Sequence, residues 1–118
     1  MSKIFIVSHY NLIEEEEDVE IIGSFNTRIS AILFVKYLLK EGVEGYFDID
    51  MIEPLSMAEN VDRYKNDKSV TTLIATTLHA DIVKRGQIYL FKTEENLYEE
   101  GKVIDLFKDN FKVKEEDI

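Results

Sequence analysis

The feature that most constrains the fold is a change of hydrophobic periodicity within residues 3–55, from extended segments to a helix and back. Residues 4–7 form a continuous apolar run, which is typical of a strand covered on both faces. Residues 19–25 alternate with the period of two that indicates a second strand. The acidic stretch between them predicts an antiparallel hairpin with a charged connection.

A helix is predicted to follow the hairpin. Asn26 and Thr27 can each act as the N-cap, because their side-chain oxygens accept a hydrogen bond from a free backbone N–H. The helix should cover residues 28–41 and stop at Gly42, a residue suited to the left-handed cap position. Residues 46–53 alternate again and predict a third strand.

The second half of the chain is less regular. Residues 56–68 fit either a short amphipathic helix or a loop. Residues 70–83 are rich in Val, Ile and Thr, which favours a strand. Within them, however, Ile74, Leu78 and Ile82 recur every four residues, as on a helix. We predict a strand that leads into a helical turn.

Together these segments predict a single α+β domain over residues 1–118, with an antiparallel or mixed sheet. One long helix, at about 28–41, should pack on a face of that sheet. With 45% hydrophobic residues, the chain can build such a core. The other assignments are a strand–strand–helix–strand core at 3–55, a strand at 87–92, a strand or short helix at 102–107, and a charged tail at 112–118.

Composition excludes several classes of protein. The chain has no cysteine, which removes disulfides and thiolate metal sites and fits a reducing cytosol. We expect no signal peptide, and the longest apolar stretch, 29–39, is too short to span a bilayer. A sequence pI near 4.6 disfavours direct binding to phosphate backbones. The expectation is a cytoplasmic protein that binds neither membrane nor nucleic acid directly.

Much of the formal charge of −10 is concentrated in one run of acidic residues between the first two strands. One interpretation is a solvated connection whose charge discourages pairing between sheet edges. A second is a docking patch for a partner protein with a basic groove, as in nucleic-acid mimics. The run lacks the spacing and the turn glycine of a calcium loop. Its members are Glu14, Glu15, Glu16, Glu17, Asp18 and Glu20.

The predicted helix carries a second apolar stripe besides the face needed to cover a sheet. It consists of Ile29, Leu33 and Tyr37, spaced four residues apart. Either the C-terminal half of the chain covers this stripe, or it forms a partner or homodimer interface. These three residues therefore join the acidic run as candidate partner-binding residues.

Catalytic and metal-binding signals are sparse. Asp48 and Asp50 should share one strand face about 7 Å apart, which suits a carboxylate pair or the polar side of a strand. His9 and His79 are the only histidines and lack the spacing of a zinc site. There is no phosphate-binding glycine loop and no nucleophile motif. We predict no catalytic residue, metal ligand or cofactor.

The segment from Ile21 to Thr27, with Ala31 and Leu38 in the following helix, resembles a group of short uncharacterised bacterial and phage proteins. The resemblance covers residues 3–55 and implies the strand–strand–helix–strand arrangement. It carries no catalytic residues.

The expected function is a non-enzymatic interaction or regulatory protein. One concrete form would be a phage-type inhibitor that acts on a nucleic-acid-handling protein of the host through the acidic run. The first alternative is a small-ligand-binding or metal-dependent enzyme that uses Asp48, Asp50 and a histidine. The second alternative is a structural homo-oligomer.

Overall fold

The computed structural model describes residues 3–13, 16–79, 82–91 and 102–108. These residues form six strands and two helices in one sheet-based fold. The elements in chain order are β1 (Ile4–Ile13), β2 (Glu16–Phe25), α1 (Arg28–Lys40), β3 (Tyr46–Ile52), α2 (Met57–Lys65), β4 (Thr71–Thr76), β5 (Gln87–Leu90) and β6 (Lys102–Asp105).

The strands form a single sheet in the order β2-β1-β3-β4-β5-β6, and every neighbouring pair is antiparallel. The predicted α+β class is confirmed, and the sheet is antiparallel and not mixed. Two helices are present, where the sequence predicted one long helix and left 56–68 open between a helix and a loop. Residues 112–118, predicted as a charged tail, lie outside the described residues.

Helix α1 is fixed at both ends by specific hydrogen bonds. Thr27 has an extended backbone, and its Oγ1 accepts from the N–H of Ser30 at 3.2 Å, which makes it the N-cap. Gly42 follows the helix with a φ of 84°, the left-handed conformation that favours glycine. The Arg85 guanidinium donates to the carbonyls of Leu39 and Val43, both at 3.3 Å, and so ties the end of the helix to the turn before β5.

The hydrophobic core lies between α1 and one face of the sheet. Ala31, Ile32, Val35 and Leu39 are the buried residues of the helix. They belong to one cluster with buried residues of the strands: Phe5, Val7, Phe47, Ile49, Met51, Ile74, Ala75, Ile88 and Leu90. We call the sheet side that carries this cluster the covered face.

Helix α2 differs from α1 because it packs against no other helix or strand of the described residues. A capping box at Ser56 and Glu59 starts it, in agreement with the helical alternative for 56–68. Met57 and Tyr64, two of its apolar side chains, are 83% and 87% exposed. The helix therefore projects from the sheet between β3 and β4.

The ambiguous segment 70–83 begins as a strand and then turns. Ile74 lies in β4 and is fully buried, whereas Leu78 and Ile82 follow the strand and belong to no helix. The N–H groups of Ile82 and Val83 both donate to the carbonyl of His79 at 3.1 Å.

Within the residues that the structure describes, neither helix has the length and apolar character needed to cross a membrane.

Candidate functional site

Part of the acidic run belongs to a strand, and the prediction of a charged connection is wrong for Glu16, Glu17 and Asp18. Strand β1 continues to Ile13 and β2 begins at Glu16, so the two strands pair further than the apolar segments indicated. Glu17 pairs with Leu12, and Glu20 pairs with His9. Glu16 and Asp18 lie in β2 as well, while Glu14 and Glu15 fall outside the described residues.

Among the strands that the structure describes, β1 is the sole neighbour of β2, so β2 lies at an edge of the sheet. The acidic residues of this strand therefore stand along an edge that offers backbone N–H and C=O groups to another strand. Charged residues on an edge discourage pairing between copies of the same sheet. The acidic residues of β2 thus occupy the kind of edge position that the sequence-based interpretation of a guarded edge requires.

The second stripe of α1 is not uniformly exposed. Ile29 and Leu33 are half-buried, and Tyr37 is 59% exposed. Helix α1 contacts β1, β2 and β3 among the described elements. The three predicted interface residues therefore offer one exposed tyrosine ring and two half-buried aliphatic side chains.

No described helix packs on the other side of the sheet, opposite α1, although His79 of the segment after β4 contacts Tyr89 there; we call this side the open face. Cross-strand partners share a face, so the pairing register identifies its residues. One row of cross-strand partners is buried on the covered face and runs from β1 to β5. It consists of Val7, Ile49, Ala75 and Leu90. The adjacent row, which belongs to the open face, is Ile21, Ser8, Asp48, Thr76, Tyr89 and Val103.

Asp48 lies at the centre of the open face and accepts hydrogen bonds from both neighbouring strands. Its Oδ1 accepts from Thr76 Oγ1 at 2.5 Å and from the Tyr10 hydroxyl at 3.4 Å. Thr76 Oγ1 in turn accepts from the N–H of Leu78 at 3.1 Å. The carboxylate is therefore held in one orientation by donors on β1 and β4.

Asp50, two residues further along β3, has a different environment. Its cross-strand partners are Ile6 on β1 and Leu73 on β4, and both are apolar. Partial burial, and secondarily the negative charge of Asp48, raise the pKa of Asp50 above its ordinary value. The sequence predicted that these two aspartates share a face, and the structure adds that one is hydrogen-bonded while the other is flanked by apolar side chains.

The two histidines do not join this carboxyl pair in a metal site. His9 pairs with the buried Phe47 on the covered face, and its Nε2 lies 2.6 Å from the carbonyl oxygen of Glu44. His79 stacks on Tyr89 with ring centroids 4.1 Å apart. Its Nδ1 is buried and has no hydrogen-bond partner. Across the described ranges, no group of three His, Asp or Glu side chains is arranged to hold a metal ion.

A cavity of about 530 Å³ lies at the end of the sheet where α1 stops. It is lined by Leu39 of the helix, Glu44 and Gly45 before β3, and Lys84 and Arg85 before β5, among others. The Arg85 guanidinium already donates to the carbonyls of Leu39 and Val43, and the lining contains the acidic Glu44 as well as the cationic Lys84. The lining residues therefore do not form a set of groups suited to one class of ligand.

Sequence reasoning missed Tyr10, Thr76 and Tyr89 as members of the site, since each comes from a different strand. The richness of residues 70–83 in Val, Ile and Thr, which favoured a strand, was the available signal for Thr76. The strand order that brings Tyr10 and Thr76 beside Asp48, and Tyr89 beside Thr76, was not readable from the sequence. No protein-family model matches the chain, and comparisons with curated proteins and with solved structures found no match either.

Proposed function

We propose that this chain is a non-enzymatic interaction protein that binds a partner protein through the acidic strand β2. The observation that supports the proposal is that Glu16, Glu17, Asp18 and Glu20 belong to an edge strand of the described sheet, in which Glu20 is exposed. Beside them, Val19 and Ile21 are 56% and 66% exposed. Acidic and apolar groups along one edge suit a basic groove with apolar walls.

A phage-type inhibitor of a nucleic-acid-handling host protein is a concrete form of this function. The basic groove of such a protein attracts carboxylates as it attracts phosphates. The net charge of −10 would accelerate the encounter with a basic partner and would repel nucleic acid itself. The exposed ring of Tyr37 on α1, with Leu33 and Ile29 beneath it, is a second proposed contact.

The test is affinity capture from a host lysate with the wild type and with a variant in which Glu14, Glu15, Glu16 and Glu17 are changed to Gln. A matched control changes four exposed acids elsewhere to their amides: Glu41, Glu44, Glu59 and Asp62. We expect the first variant to lose partners that the control retains, and we expect the capture to weaken as salt is raised. Identical partner sets for all three proteins would contradict the role of the acidic strand.

A second candidate function is a ligand-binding or metal-dependent enzyme centred on Asp48 and Asp50. The raised pKa of Asp50 favours it, because perturbed carboxyl groups are concentrated at functional sites. Thermal unfolding with added Mg²⁺, Mn²⁺ or Zn²⁺ tests it. Stabilisation that disappears in the double variant Asp48→Asn/Asp50→Asn supports a metal site. The third candidate, a structural homo-oligomer, predicts a multiple of the 13.8 kDa chain mass in light scattering.

A further inference from the structure

The open face is an extended surface of partly exposed apolar side chains. Leu73, Val19 and Ile21 are among the exposed large hydrophobic residues of the protein. Half-buried aromatic and aliphatic residues continue this surface across the sheet, namely Ile4, Ile6, Tyr10, Tyr46, Ile52, Tyr89 and Val103. A sheet normally buries one face and can leave the other to solvent, but a solvated face is then usually polar. This one carries apolar and aromatic side chains next to polar ones such as Ser8, Ser24 and Gln87.

The charged residues on this face all have the same sign. Among the strand residues whose side chains the structure describes, Asp48, Asp50 and Asp105 occupy positions of the open face, and no Lys or Arg does. Asp105 accepts from the N–H of Phe107 at 3.0 Å. A second copy of this face would bring like charges together, which opposes face-to-face self-association. The complementary surface is cationic.

Asp48 and Asp50 also have a defined spacing. Residues i and i+2 of a strand are separated by about 6.6 Å, and alternate side chains of any extended peptide repeat at the same interval. A second extended chain laid along β3 can therefore place two cationic side chains against the two carboxyl groups. The apolar neighbours Ile6 and Leu73 lie on either side of Asp50, where they can contact the aliphatic stems of Lys or Arg.

We propose that the open face binds an extended basic segment of the partner protein, with Lys or Arg side chains at alternate positions seated on Asp48 and Asp50. This inference rests on the proposed function, in that the ligand is a protein, and it names the chemistry of the segment. Asp48 is already oriented by Thr76 and Tyr10. Asp50 gains a donor from the incoming cation, and the rings of Tyr10 and Tyr46, 5.7 Å apart, offer faces for a cation–π contact.

The probe is a six-residue peptide of alternating Lys and Leu, acetylated and amidated, and its control replaces every Lys by Gln. Both are titrated into ¹⁵N-labelled protein at low salt and followed by NMR. We expect the Lys peptide to shift the amides of Ile6, Asp50 and Leu73, and the Gln peptide to bind more weakly. Equal binding of the two peptides would overturn the proposal, because charge would then not select the ligand.

The protein variants locate the binding. Asp48→Asn/Asp50→Asn removes both charges, and the amide oxygen introduced at position 48 can still accept from Thr76, so the variant is expected to fold. Two partly exposed ion pairs together account for roughly a fivefold change in affinity. We expect that loss in the double variant and no loss in Glu41→Gln, which removes one exposed charge at the end of α1. Unchanged affinity in the double variant, or shifts confined to β2, overturns the proposal.

The failure of this inference is distinguishable from the failure of the proposed function. If Asp48→Asn/Asp50→Asn captures the same lysate partners as the wild type while the Glu14–Glu17 variant loses them, β2 binds the partner and the open face does not. If both variants lose the same partners and the Lys peptide shifts the open face, one basic partner contacts both regions. If neither variant loses partners, both the function and the inference are wrong.

Discussion

The two faces of the sheet are built from the same strands, yet they differ in chemistry and in burial. On the covered face, Val7, Phe47 and Ile49 are fully buried beneath α1. On the open face, the intervening residues of β3 are Tyr46, Asp48 and Asp50, all half-buried. The alternation of β3 therefore produces two different surfaces, one buried in the core and one partly exposed.

The contrast is sharpest in β4, where two sequence neighbours lie on opposite sides. Leu73 is 37% exposed and pairs with Asp50 on the open face, whereas Ile74 is fully buried in the core. A register irregularity between Ile49 and Asp50 on the partner strand accompanies this change. These two side chains have similar size, so substituting each in turn isolates the effect of the face.

The largest expected effect is the loss of a covered-face side chain. Ile74→Ala should lower the free energy of unfolding by about 2–5 kcal/mol, because it leaves a cavity in a packed core. Leu73→Ala should lower it by less than about 1 kcal/mol, since its side chain is partly solvated already. Urea unfolding followed by circular dichroism measures both. Equal losses for the two variants would mean that the open face is as well covered in solution as the core.

Removing the N-cap of each helix in turn tests whether α1, and not α2, contributes to the stability of the folded core. Thr27→Ala removes the N-cap of α1 and should lower the global unfolding free energy by about 1 kcal/mol. Ser56→Ala removes the N-cap of α2, which packs on no described element, so its effect should stay local. The expected signature is faster amide exchange in α2 with an unchanged urea midpoint. A lower midpoint for Ser56→Ala would show that α2 contributes to the folded core.

The smallest expected effect concerns the pH dependence produced by Asp50. Its pKa is raised in the folded protein, so the folded state binds the proton more tightly than the unfolded state does. The favourable contribution is complete below the ordinary value of 3.8 and is lost as the pH rises through the raised pKa of the folded state. The charged group that faces Asp50 is Asp48 on its own strand, since Ile6 and Leu73 flank it from β1 and β4.

Asp50→Asn removes this titration and should therefore stabilise the protein slightly at neutral pH, by less than about 1 kcal/mol. The gain relative to wild type should shrink as the pH falls towards 3.8. Glu41→Gln serves as the control for the loss of one negative charge. Thermal unfolding of the three proteins across this pH range gives the measurement. A gain that grows on acidification would reverse the sign and refute the assigned environment of Asp50.

Local patterns in the sequence were enough to predict the strands around α1, because each is marked by a period of two or by an apolar run. They were not enough to locate the ends of β1 and β2. Glu16, Glu17 and Asp18 are poor strand formers, and their charge predicted a connection. Pairing with β1 extended the strand through them, which is a tertiary effect that outweighs local propensity. The prediction for residues 70–83, a strand that leads into a helical turn, came closer: β4 covers Thr71–Thr76, and the N–H groups of Ile82 and Val83 then donate to the carbonyl of His79.

The sequence by itself determined which side chains share a face of a strand, since alternation follows from backbone geometry. It therefore placed Asp48 and Asp50 together and the apolar residues of β3 opposite them. Only the tertiary structure decided which strands lie beside β3 and which face α1 covers. Strand order depends on contacts between residues far apart in the chain, and no local period records them. That order brings Tyr10 and Thr76 to Asp48, leaves Asp50 between Ile6 and Leu73, and puts the acidic strand at the edge.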